Sequence, residues 1–145
     1  MKRLTISILA LFLAVLAIVV PYLHGQTNDF SGSWSYDGIT DIDVGTPAQC
    51  TFTITLKQID SKISGEYMTI ALNGDKIDFD EEGGNKIAGV INGNIADVQF
   101  ESASWGGNGN AKITHLGNKL MWEITKIIKP DVWCPKKVLL IKEGK

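Results

Sequence analysis

The chain has a single arginine, Arg3, and only two histidines, His24 and His115, in 145 residues. Arginine is the usual side chain for bidentate recognition of phosphates and base edges. Beyond residue 3 the chain is arginine-free and carries an excess of acids, a poor composition for binding nucleic acid, which is set aside as a partner. The scarcity of histidine removes a second class. Standing alone, His115 suggests neither a His-rich metal site nor a nucleophile–histidine–acid arrangement. No catalytic residue, metal or cofactor is therefore assigned, and the chain does not read as an enzyme. Helical periodicity is also missing, since no window repeats apolar residues at the spacing of an amphipathic helix. Cysteine is down to two, Cys50 and Cys134. The acidic run Asp75, Asp78, Asp80, Glu81 and Glu82 offers oxygen ligands of the kind calcium uses. Its spacing does not follow the EF-hand loop, and it reads as a solvated turn.

One long apolar run is present. Residues 4–20 follow the basic pair Lys2 and Arg3 and end at Pro21, the pattern of a secretory signal, with the mature chain starting at Gln26. The run nears the roughly 18 residues that read as a membrane span, so an uncleaved anchor stays open, and membrane contact is expected only in that case. Either way residues 26–145 form one domain that is secreted or periplasmic, long enough for its own core. Twelve lysines face sixteen acids in it, and the lysines gather late: residues 112–145 hold eight against three acids. They are either solvated strand faces or a basic patch. In an oxidising compartment the even cysteine count favours a Cys50–Cys134 disulfide. Closing a loop of about 85 residues, it would contribute about 4–5 kcal/mol on the chain-entropy account.

What fills residues 26–145 is alternation. Phe52, Ile54 and Leu56 alternate with threonines and Lys57, and Ile63, Gly65, Tyr67 and Thr69 repeat the period of two after the turn at Asp60–Lys62. Further strands are expected at 30–36, 76–80, 86–91, 95–101, 110–116, 119–125 and 138–142. Asn73-Gly74 and Asn92-Gly93 supply the positive φ angles of tight hairpins. Residues 37–49, rich in Gly, Asp and Pro, read as a loop. The fold class is all-β: an antiparallel up-and-down meander closed into an eight- or nine-stranded barrel, because closure removes the unpaired edges. A two-sheet sandwich is the alternative. Gly65 and Gly89 fall mid-strand, where a barrel wall bends.

Gly32-Ser33-Trp34 resembles the Gly-x-Trp motif that opens the first strand of the calycins, the lipocalins and avidins. The Thr-rich strand from Cys50 and the run Gly65-Glu66-Tyr67-Met68-Thr69 are similar to the avidin pattern. The resemblance implies a lipocalin/streptavidin-like barrel with Tyr67 and Thr69 as hydrogen-bonding groups in a ligand site, and Trp105 or Trp122 as a stacking wall. The pattern departs in places. Tyr36 stands where avidins have an asparagine, and nothing near the C-terminus matches their ligand-binding aspartate. Lipocalins lay an arginine over the tryptophan ring, for which a lysine such as Lys137 is the available substitute.

Phe52, Tyr67, Phe100 and Trp122 fall on the apolar faces of four strands, where they either fill the barrel or line a cavity, since eight strands leave just such a space. Trp105, in the glycine-rich loop 102–108, either folds over a barrel mouth or meets a partner. The leading expectation is a secreted, non-enzymatic barrel holding a small apolar or amphipathic ligand against Phe52, Phe100 and Trp122, with Tyr67 and Thr69 orienting it. The alternative is a filled barrel acting through its loops, Trp105 and Trp133 among them, on an extracellular protein such as an exported hydrolase.

Overall fold

The computed structural model describes residues 28–42, 47–79, 81–82 and 84–144. The export segment expected over residues 1–25 and its junction lie outside them. Nine strands follow in order: β1 (Gly32–Thr40), β2 (Ala48–Ile59), β3 (Lys62–Ala71), β4 (Lys76–Asp78), β5 (Lys86–Asn92), β6 (Ile95–Glu101), β7 (Asn108–His115), β8 (Lys119–Lys129) and β9 (Lys137–Lys142). All pairings are antiparallel. Eight strands close the ring β1-β2-β3-β5-β6-β7-β8-β9, and β4 is an extra strand on β3. The closed up-and-down barrel is as the alternation predicts.

The inward side chains are those that the alternation selects. Phe52, Ile54 and Leu56 on β2, Ile63 and Tyr67 on β3, Val98 and Phe100 on β6, and Leu120 and Trp122 on β8 are all buried in one core. Both Asn-Gly turns form, with positive φ at Asn73 and Gly74 within a short 3-10 segment, Leu72–Gly74; at the second, Asn92 ends β5 and only Gly93 of the pair has positive φ. The limits of the strands differ more. β1 runs on to Thr40 and pairs with Ala48, taking in residues that local composition assigns to a loop. Pairing of the whole of β1 with Ala48–Leu56 of β2 overrides the weak strand preference of Asp37 and Gly38. β8 reaches Lys129 through register shifts opposite Asn108–Ala111, and such bulges sharpen the local twist.

The barrel has two unlike ends. At one, the strands are joined by short turns at Asp60–Ser61, Gly93–Asn94 and Leu116–Asn118. Phe30 is buried there, with its ring 5.2 Å from that of His115, and its carbonyl accepts a hydrogen bond from Trp34 Nε1 at 3.0 Å. Lys142 Nζ lies 5.0 Å from the Trp34 ring centre, an attractive cation–π placement. The lysine over the tryptophan is thus Lys142 of the last strand. Lys137 instead pairs with Glu123 at 3.3 Å, because in β9 it lies at the opposite end of the strand from Trp34. At the other end the long connections gather, including the β6–β7 and β8–β9 loops.

Gly65 and Gly89 mark the tightest approaches in the wall. A Cβ at Gly65 would come within 2.1 Å of the Thr55 carbonyl oxygen, and one at Gly89 within 2.0 Å of that of Asp97. Replacing either glycine with alanine is expected to cost about 1–3 kcal/mol of unfolding free energy through forced backbone shifts. Urea denaturation measures it, and an unchanged midpoint for both variants would refute the close approach.

Candidate functional site

At the long-loop end, β3 changes neighbours. Thr69 pairs with Asp78 of β4, whereas Glu66 pairs with Lys86 of β5, so Tyr67 and Met68 have no strand partner on this edge. Backbone left without a strand partner must find hydrogen bonds elsewhere. Asn85 supplies one: its Nδ2 donates to the Tyr67 carbonyl at 3.3 Å and to the Asp78 carbonyl at 2.9 Å. The Asp78 side chain is fully buried at this break. Its Oδ2 accepts from Tyr67 OH at 3.0 Å, and its Oδ1 accepts from Ser102 Oγ at 2.7 Å and from Asn85 Nδ2 at 3.0 Å. A buried carboxyl demands such a set of donors. The solvated-turn reading of the acidic run therefore fails at Asp78.

This polar cluster orients the β6–β7 loop. Asn85 Oδ1 accepts from the Ala103 amide at 2.9 Å, and Ser102 Oγ accepts from the Trp105 amide at 3.0 Å. Trp105 Nε1 donates to the Ile77 carbonyl at 2.9 Å, while Ser104 Oγ donates to the Phe79 carbonyl at 2.8 Å. Trp105 therefore folds along the outer edge of β4, with 39% of its surface exposed. Its ring meets Trp133 edge-on at 5.8 Å. Lys76 Nζ sits over both rings, 4.5 Å from one centre and 4.9 Å from the other. Ile77 and Phe79 beside them are exposed.

The interior candidates come together, but on one another. Phe52 and Phe100 flank Trp122 with ring centres at 5.2 Å and 5.5 Å. Tyr67 lies 6.0 Å from Phe52 and 6.3 Å from Phe100. Trp122 Nε1 donates to the Pro135 carbonyl at 2.9 Å, and Tyr67 directs its hydroxyl at Asp78 as above. Thr69 Oγ1 is buried without an oxygen or nitrogen partner and has only the Cys134 thiol to bond. Trp105 lies apart from this group, at the rim.

Cys50 and Cys134 are both buried, and both are free thiols. The expected bridge is thus not formed in this structure, although the two side chains belong to one core. Burial, then the charge of Asp37, pushes the Cys50 thiol up to about 11. Burial, then the charge of Asp78, raises that of Cys134, against the hydroxyls of Tyr67 and Thr69. Both thiols stay protonated near neutrality and are poor nucleophiles. His115 is at the short-turn end, where its Nε2 lies 3.1 Å from the Asp29 carbonyl. No group of three or more metal-ligating side chains occurs among the described residues.

Compared with known protein families, curated proteins and solved structures, the chain has no match.

The Asp78 cluster gives a direct test. Tyr67→Phe removes one of three donors to a buried carboxyl and is expected to cost about 1.5–3 kcal/mol of stability. Equilibrium urea unfolding reports it, and a loss below about half a kcal/mol would mean that the Tyr67 hydroxyl does not hold Asp78.

Proposed function

We propose that the protein is a non-enzymatic binding module whose working surface is the long-loop end of the barrel. The observation that carries this reading is the Trp105–Trp133 pair around Lys76, bordered by exposed Ile77 and Phe79. Partly exposed tryptophans held in place are frequent anchors of protein interfaces, and apolar side chains grouped at a rim mark interaction sites. The partner is an extracellular protein; an exported hydrolase, held inhibited, is one such partner. A small ligand within the barrel is the weaker reading, because it would have to part rings that touch each other and a tyrosine hydroxyl already bound to Asp78. The one observation in its favour is the buried Thr69 Oγ1, which has only the Cys134 thiol to bond.

Export belongs to the same reading, and with it kinship to the calycin barrels. The support is an eight-stranded barrel whose first strand opens with Gly32-Ser33-Trp34 and whose last strand lays Lys142 over the tryptophan. In an oxidising compartment the two buried thiols would pass two electrons and two protons to a disulfide-bearing thiol oxidant and join.

Three measurements test the binding surface, the interior and the thiols. Capture of an exported partner from the protein's own host is expected to fall at least tenfold for Trp105→Ala, and to persist for the core variant Phe52→Leu. Native mass spectrometry is expected to show no small-molecule adduct that depends on Phe52. An adduct that Phe52→Leu removes, with capture indifferent to Trp105, would transfer the function to the interior. For the thiols, the intact mass of the unreduced exported protein is expected to lack two hydrogens. Two thiols that alkylate freely after denaturation without reductant would rule the bridge out.

A further inference from the structure

Between the end of β8 and the β8–β9 loop lies a half-enclosed cleft of about 260 Å³. Its apolar lining is Ile42, Ile124, Ile127 and Val132, and Lys126 and Lys136 complete it with Thr125 and Cys134. The local fold explains the shape. β8 bulges opposite Asn110, and the loop then folds back so that the Ile124 amide donates to the Lys136 carbonyl at 2.8 Å. Val132 is drawn inward with Cys134, which leaves Ile127 standing across from it as an exposed wall. An apolar floor with a cationic rim selects its occupant by both properties.

We propose that this cleft binds a free monocarboxylate with a short aliphatic tail. The tail would lie against Ile42, Ile124, Ile127 and Val132, with the carboxylate at Lys126. The argument is charge complementarity and size. The chain as a whole carries a formal charge of −2, yet the described lining contains two lysines and no acid. Lys136 is already engaged with Asp41 Oδ2 at 3.4 Å, so Lys126, exposed on β8, is the cation on which the preference rests. At roughly 30 Å³ for each water-sized group, the volume admits about nine heavy atoms, close to the size of octanoate. Longer chains would project into solvent and gain little from their additional carbons. The site is distinct from the Trp105 rim and from the ring cluster around Trp122, and it stands or falls without the partner-binding reading.

Amide NMR titration of the exported protein with octanoate tests the proposal, with octylammonium as the cationic counterpart of equal length. Octanoate is expected to give saturable shifts centred on residues 124–127 and 132, and octylammonium none there. Lys126→Glu should weaken octanoate about tenfold or more, a loss of about 1.4 kcal/mol. Ile127→Asp, at an exposed position that the fold tolerates, should abolish the saturable shifts while the remaining spectrum stays in place. Shifts that do not saturate, that map to another surface, that octylammonium reproduces, or that survive Ile127→Asp would each overturn it.

Discussion

Everything in this molecule depends on closing a sheet whose first and last strands meet over a short seam. β1 and β2 align over nine residue pairs, but β1 and β9 register at only two, Trp34 with Lys142 and Ser35 with Ile141. Two backbone bonds extend the seam, from Glu143 to Ser33 at one end and from Lys136 to Asp41 at the other. The side chains add what the ladder lacks. Trp34 is buried at the seam, bonded to the Phe30 carbonyl on one side and covered by the Lys142 ammonium on the other. Among the described strands, closure leaves only the short β4 as a free edge for another chain to extend. It also limits the interior to the width that eight strands allow, which Phe52, Phe100, Trp122 and Tyr67 occupy together.

The second constraint is local and has a different origin. β4 and β5 lie along the same edge of β3, and between them the backbone of Tyr67 has no strand partner on that edge. Asn85 answers this lack with a side-chain amide where a strand would have used its main chain, and Asp78 accepts from that amide and from the Tyr67 hydroxyl. A polar group so placed is stable only when every partner is present. The cluster consequently ties together β3, β4, the interrupted edge and the β6–β7 loop. The position of Trp105 is thus a consequence of how the wall was repaired.

Period-two alternation made the barrel legible because each inward residue leaves a mark in the chain that does not depend on its partner. Phe52, Tyr67, Phe100 and Trp122 were recognisable as one inward-facing set for that reason. Whether such a set touches itself or a ligand depends on distances across the barrel, on which alternation is silent. Asp78 was illegible for a related reason. Among Asp75, Asp80, Glu81 and Glu82 it looks like one more solvated acid, and only the break in β3's pairing gives it donors. Ser102 and Asn85 carried no signal at all, being ordinary loop residues by composition. The lysine over Trp34 was foreseeable in kind but not in number, since choosing Lys142 over Lys137 requires the register of β9.

The filled interior and the fixed outer loop are two views of one arrangement. In the β8–β9 loop, Val132, Cys134 and Pro135 are buried while Trp133 between them stays partly exposed. The Pro135 carbonyl accepts the indole hydrogen of Trp122 at the centre of the ring cluster. Packing of Phe52 and Phe100 against Trp122 therefore fixes the loop that presents Trp133, just as the Asp78 cluster fixes the loop that presents Trp105. Two aromatic side chains immobilised before any encounter lose little further freedom on binding, and pre-organisation of this kind is a main source of affinity at small surfaces. A barrel hollowed to admit a ligand would give up the anchor beneath Trp133. The same rings cannot easily serve both purposes, and their mutual contacts favour the outer one.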